Sequence, residues 1–134
     1  MIINNPVQQT KVLIVEDNLI ASKTAQLFLE AKGCSVDCVT TGTEAISKVG
    51  EDYDLILLDL GLPDMHGFEV AKIIRNSESK LASTRIVIVT AFDTNNNKEL
   101  LNQLKISHCI VKPLSLKKCE LILEANIKDI CHSV

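Results

Sequence analysis

The chain has 134 residues, the length of one ordinary domain. Hydrophobic residues make up 46% of it and charged residues 23%, so it holds enough apolar material for a packed core. The net charge of −3 lacks the basic excess expected of a nucleic-acid-binding protein. No apolar run approaches the roughly 20 residues that cross a bilayer, so we expect no membrane insertion. Aromatic residues are only 3% of the chain, which favours an aliphatic core of the kind found in parallel sheets covered on both faces.

The amino terminus and the cysteines indicate the compartment. Residues 1–10 are polar and without periodicity, so we predict a disordered leader or a linker there. This segment lacks the basic and apolar stretches of a secretion signal. The cysteines are odd in number and form no CxxC pair; they are Cys34, Cys38, Cys109, Cys119 and Cys131. We therefore expect reduced, mostly buried thiols in a cytoplasmic protein.

Five short apolar runs alternate with helical segments after residue 10. The predicted strands are 11–16, 34–39, 54–59, 85–90 and 107–111. The predicted helices are 19–32, 41–49, 66–76, 95–105 and 114–131, with residues 77–84 as a polar loop. Asn18 is suited to cap the first helix, and Gly33 to end it. The run Asn95-Asn96-Asn97 is expected to cap the fourth helix. Strands and helices joined by short connections favour a parallel sheet with right-handed crossovers and helices on both faces.

Polar side chains gather at the carboxyl ends of the predicted strands. Glu16 and Asp17 end the first strand, Asp59 the third and Thr90 the fourth, and Lys112 follows the fifth. Each alone is an ordinary cap, turn or strand residue, but carboxyl ends of parallel strands meet at the edge where ligands bind. Three carboxylates in one cleft need counter-charge, which Lys112 and a hard cation such as Mg²⁺ would supply. A carboxylate in such a site can also be the nucleophile that forms an aspartyl-phosphate.

Four segments carry a resemblance to a known family. The chain resembles the receiver domains of bacterial response regulators and hybrid histidine kinases in VLIVEDN at 12–18, LILLDLGLPDMHGFEV at 55–70, IVIVTA at 86–91 and IVKP at 110–113. The resemblance covers about residues 11–130 and implies a receiver domain at 11–131. It implies a flavodoxin-like, doubly wound (βα)5 fold whose five-stranded parallel sheet has the order 2-1-3-4-5. The protein would be a regulatory phosphoacceptor that catalyses only its own phosphorylation and dephosphorylation.

The resemblance also assigns roles around the acceptor. Asp59 would take a phosphoryl group from a phosphohistidine on a histidine kinase or a histidine phosphotransfer domain. Asp17, Asp59 and the backbone carbonyl of Gly61 would bind Mg²⁺ directly, and Glu16 would act mostly through a metal-bound water. The phosphorylated state would then change contacts with a downstream protein.

The other side of the acceptor contains one departure from the family pattern. Lys112 would contact the phosphoryl oxygens, and Thr90 would move its hydroxyl onto them. Many members have an aromatic residue three positions before the lysine, where this chain has Cys109. The preceding His108 either takes over part of that function or is an exposed strand-edge histidine. Phe92 is expected to shield the phosphoryl group and slow its hydrolysis.

The apolar pattern of the last predicted helix offers a candidate surface for a protein partner. We expect a core-facing stripe made of Leu116, Cys119, Leu123, Ile127 and Ile130. Three residues outside it form either a dimer or partner patch or the margin of a wide core face: Leu121, Ile122 and Ala125. No effector sequence follows this helix, so the expected output is a protein contact rather than nucleic-acid binding.

Three alternatives stay open at this point. The chain is either a stand-alone regulator or the C-terminal receiver of a hybrid sensor kinase, with residues 1–10 as the linker. A haloacid-dehalogenase-type phosphatase also uses a strand-end aspartate, but it needs a second aspartate where Gly61 stands, and a lid domain. A degenerate receiver would signal by binding alone, although all the acceptor-site residues are present here.

Overall fold

A computed structural model describes residues 9–91, 97–106 and 108–124. Its strands are β1 Lys11–Val15, β2 Ser35–Val39, β3 Leu55–Asp59, β4 Arg85–Thr90 and β5 His108–Val111. Its helices are α1 Leu19–Ala31, α2 Gly42–Ser47, α3 Gly67–Arg75, α4 Lys98–Gln103 and α5 Leu116–Leu123, with a 3-10 helix at Lys80–Ser83. Among these residues no helix has both the length and the apolar character to cross a membrane.

The five strands form one parallel sheet in the order β2-β1-β3-β4-β5. The predicted fold class and strand order are therefore confirmed. The register pairs Val15 with Leu58 and Asp59 with Val89, so the carboxyl ends of β1, β3 and β4 lie at one edge. The strand order reverses between β1 and β3, which is where a doubly wound sheet opens a crevice for ligands.

Alternation along the strands produces two hydrophobic cores, one on each face of the sheet. On one face, Leu13 and Val15 of β1 pack with Val70 and Ile74 of α3, and α2 and α4 contribute to the same cluster. On the other face, the neighbouring strand positions pack against α1 and α5; this second cluster includes Val12, Ile14, Leu29, Cys119 and Ile122. The helices thus cover both faces, as the aliphatic composition indicated.

Local signals set most helix ends. The Asn18 side chain accepts a hydrogen bond from the Ala21 N–H at 2.9 Å, and Gly33 follows α1 with a φ of 89°, which a glycine adopts without strain. Both predictions are confirmed. Asn97 precedes α4 but makes no side-chain capping bond, so that part of the predicted cap is wrong. Residues 95 and 96 lie outside the described part of the chain.

Residues 77–84 were predicted as a loop, but they contain the 3-10 helix. Its cap is Ser79, whose hydroxyl accepts a hydrogen bond from the Leu81 N–H at 3.2 Å. Leu81 is then fully buried in the core on the α3 face. A single leucine in a polar segment gave no periodic signal, and its burial depends on tertiary contacts.

The last helix is shorter than predicted. It begins after Ser115, which caps it, and ends at Leu123, because Glu124 has an extended backbone with ψ 150°. The predicted core-facing residues Ile127 and Ile130 fall within residues 125–134, which lie outside the described part of the chain. Ile122 is fully buried, which fits the alternative of a wide core face and not that of a partner patch. Leu116 is 42% exposed, so its assignment to the core-facing stripe was wrong. Cys119 and Ile122, three residues apart, share the face that packs on the sheet.

The thiols only partly follow the prediction of burial. Cys34 and Cys119 are buried, and burial raises the pKa of both, that of Cys119 to about 12. Cys109 is half-buried, whereas Cys38 is exposed on the edge strand β2. His108 is buried, so it is not the exposed strand-edge histidine considered above. Whether it takes over from the missing aromatic stays open.

Candidate functional site

The first acidic pair follows β1 directly. Glu16 is buried, and its backbone N–H donates to the Val39 carbonyl at 3.0 Å, which continues the pairing with β2 for one residue. Its Oε2 accepts a hydrogen bond from the Asn18 N–H at 3.1 Å. Asp17, next in sequence, is exposed. The turn into α1 therefore directs one carboxylate inward and leaves the other at the rim.

Asp59 is the last residue of β3 and is only 8% exposed. Behind it, the Gly67 N–H donates to the Leu60 carbonyl at 2.9 Å. A Cβ at Gly67 would lie 2.5 Å from the Asp59 carbonyl oxygen, which is too close for any side chain. Gly67 therefore allows close packing against the carboxyl end of β3, and the sequence prediction did not recognise this role. A glycine at the start of a helix was the available signal.

A single ammonium group is shared between two buried carboxylates. Lys112 Nζ lies 2.5 Å from Glu16 Oε1 and 3.4 Å from Asp59 Oδ1. Burial raises the pKa of Glu16, although the bonds from Lys112 and Asn18 oppose that effect. Burial alone would lower the pKa of Lys112, but Glu16 and then Asp59 raise it above its usual value. Lys112 therefore stays charged at neutral pH.

Thr90 and Gly61 stand at the same edge. Thr90 ends β4, is 2% exposed, and its carbonyl accepts the Lys112 N–H at 2.7 Å. Gly61 lies two residues beyond Asp59 and forms an antiparallel bridge with His66. The predicted roles of the Thr90 hydroxyl and the Gly61 carbonyl stay predictions. Phe92 lies outside the described residues.

The donor set suits a hard divalent cation. Glu16, Asp17 and Asp59 each offer a carboxylate oxygen, and these atoms all lie within 4.8 Å of one another. The three carboxylates and the Lys112 ammonium leave a net charge of −2. Oxygen ligands and surplus negative charge fit Mg²⁺, which takes few protein ligands and keeps several waters.

The Asp64 carboxylate, which the sequence analysis did not single out, fixes the loop between β3 and α3. Asp64 accepts hydrogen bonds from the N–H groups of Gly42 and Thr43 at 2.8 and 2.9 Å, and from the Thr43 hydroxyl at 2.6 Å. These bonds, the hydroxyl first, lower the pKa of Asp64 to about 2. Because the partners are 21 or 22 positions away, no local pattern announced them.

An apolar cavity of about 380 Å³ adjoins the acidic site. Between α1 and the β5–α5 loop it is bounded by Ile20, Ala21, Pro113 and Leu114, among others, and it reaches Asp59 at its polar end. Ile20 and its neighbour Leu19 also expose most of their side chains: Leu19 is 72% and Ile20 80% exposed.

A doubly wound sheet of this order, with three carboxylates and a lysine around its strand ends, defines a receiver-type signalling domain. The sequence model of the response regulator receiver domain matches residues 12–124. The chain belongs to that family, which confirms the resemblance inferred from its sequence.

Individual relatives agree with this assignment. The chain is 41% identical over 131 residues to hybrid signal transduction histidine kinase L of Dictyostelium discoideum, covering 91% of this chain and 8% of that protein. It is 34% identical over 108 residues to the polar-differentiation response regulator DivK of Brucella ovis, covering 80% of this chain and 87% of DivK. It spans only 49–54% of three bacterial transcriptional regulators that it matches, CrdR of Helicobacter pylori, a CpxR homolog of Haemophilus influenzae and ResD of Bacillus subtilis.

Solved structures show the same fold. A CheY-like receiver domain from Methylobacillus flagellatus superposes with a TM-score of 0.78 at 30% identity. That match covers 87% of this chain and 97% of the other.

Proposed function

We propose that the chain is the phosphoacceptor receiver of a two-component phosphorelay, with Asp59 as the acceptor. The observation that carries the proposal is the environment of Asp59. Asp59 is a buried strand-end carboxylate that shares the Lys112 ammonium with Glu16, and the carboxylates of Glu16 and Asp17 each offer an oxygen within 4.8 Å of its own. The protein would be a regulator whose chemistry is confined to its own acceptor.

The reaction is a phosphoryl transfer from nitrogen to oxygen. A carboxylate oxygen of Asp59 attacks the phosphorus of a phosphohistidine on the donor domain. The O–P bond forms while the P–N bond breaks, and its electron pair returns to the imidazole, which leaves neutral if its other nitrogen carries a proton. Mg²⁺ held by Asp17, Asp59 and the Gly61 carbonyl, with Glu16 behind a water, would neutralise charge on the phosphoryl group.

Lys112 supplies the protein's own positive charge to this transfer. Its ammonium already lies 3.4 Å from Asp59 Oδ1, so a short movement away from Glu16 brings it onto the phosphoryl oxygens. A preorganised charge costs little reorganisation at the moment of transfer. Thr90, buried at the end of β4, would give its hydroxyl to the same oxygens and report phosphorylation to the loop that follows.

The surface around the site supports a protein donor. Leu19 and Ile20 expose most of their side chains at the start of α1, and Ile20 borders the cavity that reaches Asp59. A patch of exposed apolar residues rimmed by polar groups is typical of protein contacts. We infer a histidine kinase or histidine phosphotransfer domain in the cytoplasm as the donor, whether the chain works alone or inside a hybrid kinase.

The test uses a small phosphodonor. Protein incubated with Mg²⁺ and acetyl phosphate should gain one hydroxylamine-sensitive phosphoryl group, measured by intact-mass spectrometry, and Asp59→Asn should gain none. Asp54→Asn is the matched control, because Asp54 directly precedes β3 at the end opposite Asp59 and accepts the Lys11 N–H. A wild type that stays unmodified, or an Asp59→Asn variant modified equally, would refute the proposal.

A further inference from the structure

Lys118 occupies a helix position where a cation is unfavourable. Ser115 caps α5 and accepts a hydrogen bond from the Lys118 N–H at 3.1 Å. The third residue after a serine cap is favourably Glu or Gln, which reaches back to the cap in a capping box. Here that residue is lysine, and the first turn of α5 contains no acidic residue. Because the helix dipole disfavours a positive charge there, the lysine needs another explanation.

The side chain turns back onto the loop before the helix. Lys118 Nζ donates hydrogen bonds to the carbonyl oxygens of Val111 at 2.8 Å and Pro113 at 3.2 Å. These two carbonyls flank Lys112 in the chain. One ammonium group therefore bridges the backbone on both sides of the lysine that reaches the acidic site.

The backbone of Lys112 is also held from the other direction. Its N–H donates to the Thr90 carbonyl at 2.7 Å, which ties it to the end of β4. From this anchored position the long side chain crosses to Glu16 and Asp59. A flexible lysine delivers its charge reliably only if its backbone is fixed, because a displacement of about 1 Å is costly in a preorganised site.

We propose that Lys118 is a positioning residue for Lys112. Its ammonium clamps the Val111 and Pro113 carbonyls and so holds the Lys112 ammonium at Asp59. Lys118 itself touches neither the acidic site nor the phosphoryl group. This role rests on the proposed phosphoacceptor function, since it matters for transfer only if Lys112 meets the phosphoryl oxygens. The clamp itself is a property of the unphosphorylated protein.

Lys118→Gln separates positioning from stability. Glutamine completes the capping box and removes the unfavourable cation, so the Tm should stay the same or rise. The rate of phosphoryl uptake from acetyl phosphate at saturating Mg²⁺ should nevertheless fall about five- to twentyfold. Lys118→Arg, which keeps a charged group with several donors, should recover most of the rate.

The matched control is Lys117→Gln, which makes the same charge change one residue earlier. Lys117 is exposed and its charge acts on Glu120 instead. We expect this variant to take up phosphate within about twofold of the wild-type rate, as surface substitutions usually have small effects.

Amide hydrogen exchange at Lys112 measures the clamp without any phosphate. In Lys118→Gln the Lys112 N–H should exchange faster than in the wild type, and in Lys117→Gln it should not. If the wild type takes up no phosphate, the proposed function fails, and the exchange result still decides whether the clamp exists. If the wild type is phosphorylated, the positioning role is overturned when Lys118→Gln leaves either the exchange or the uptake rate unchanged.

Discussion

The polar groups at the two ends of the sheet differ in how fully they are paired within the protein. At the amino ends of β4 and β5, one guanidinium, that of Arg75, donates to four carbonyl oxygens at 2.6–3.2 Å, those of Ala82, Thr84, Leu104 and Lys105. Beside β3, the Tyr53 hydroxyl donates to Asp37 at 2.6 Å. At the carboxyl ends, three carboxylates gather around a single ammonium, that of Lys112, and the Asn18 N–H also donates to Glu16.

This difference separates a stabilising region from a functional one. The Arg75 guanidinium and the Tyr53 hydroxyl find their partners inside the chain, and burial followed by the Asp37 contact raises the pKa of Tyr53, which stays protonated. At the carboxyl ends three carboxylates face one ammonium, so negative charge is in surplus there. Native proteins retain such locally unfavourable arrangements mainly at functional sites. We therefore expect variants at the amino ends to change stability, and variants at the carboxyl ends to change ligand binding and phosphorylation.

The largest expected effect is on stability, from Arg75→Ala. Removing the guanidinium leaves four carbonyl oxygens without their shared donor and should lower the free energy of unfolding by about 3 kcal/mol. Urea denaturation would measure this loss from the midpoint and slope. Phosphate uptake at Asp59 should persist wherever the variant remains folded.

Arg75→Lys is the control for Arg75→Ala. It keeps the charge but lacks the planar fork, so it should recover only part of the stability. Equal stability of Arg75→Ala and the wild type would mean that the amino-end network is not stabilising, and the contrast between the two ends would fail.

The sequence was informative about the carboxyl ends because regular patterns locate them. An apolar run that ends in an acidic residue places that residue at a strand end, and parallel topology brings strand ends together. This reasoning brought Glu16, Asp59 and Lys112 into one group. In the structure the Glu16 and Asp59 carboxylates lie within 3.4 Å of the Lys112 ammonium. Their distances, and the burial that accompanies them, required the folded chain.

The amino-end network was not predicted, for a physical reason. Arg75 finds its acceptors up to 30 positions away and Tyr53 finds Asp37 16 positions away, in segments that no short-range pattern connects. The same holds for Asp64. Leu116 was misassigned to the core face because a helix pattern gives the period of the apolar residues but not the rotation of the helix against the sheet. Contacts of this kind depend on tertiary packing.

The second prediction concerns Mg²⁺ and the carboxyl ends. A cation that binds only the folded state at ten times its Kd should raise stability by about 1.4 kcal/mol, seen as a higher Tm. Asp17→Asn should reduce that increase, because Asp17 is an exposed member of the carboxylate group and its loss leaves the core intact. Asp54→Asn at the amino end should keep the full increase.

KCl at the same ionic strength separates this effect from general screening. An equal Mg²⁺-dependent increase in Asp17→Asn and Asp54→Asn would show that the cation binds elsewhere.

The smallest expected effect concerns Asp64. Its carboxylate receives three hydrogen bonds from within the chain, whereas the three carboxylates of the acidic site share one ammonium. Its pKa is lowered to about 2 by the hydroxyl and N–H groups of Thr43 and by the Gly42 N–H. A carboxylate whose pKa is lower in the folded state stabilises the fold above its unfolded pKa of about 4 and loses that contribution as the pH falls through about 2. The wild type should therefore be more stable than Asp64→Asn at pH 5–7, and this difference should shrink between about pH 4 and pH 2.

Ser115→Ala provides the comparison, because its lost cap bond involves no titrating group and its stability deficit should vary little over the same range. Thermal unfolding of the three proteins across this pH series would decide the matter, and a constant difference for Asp64→Asn would mean that its hydrogen bonds do not depend on its charge.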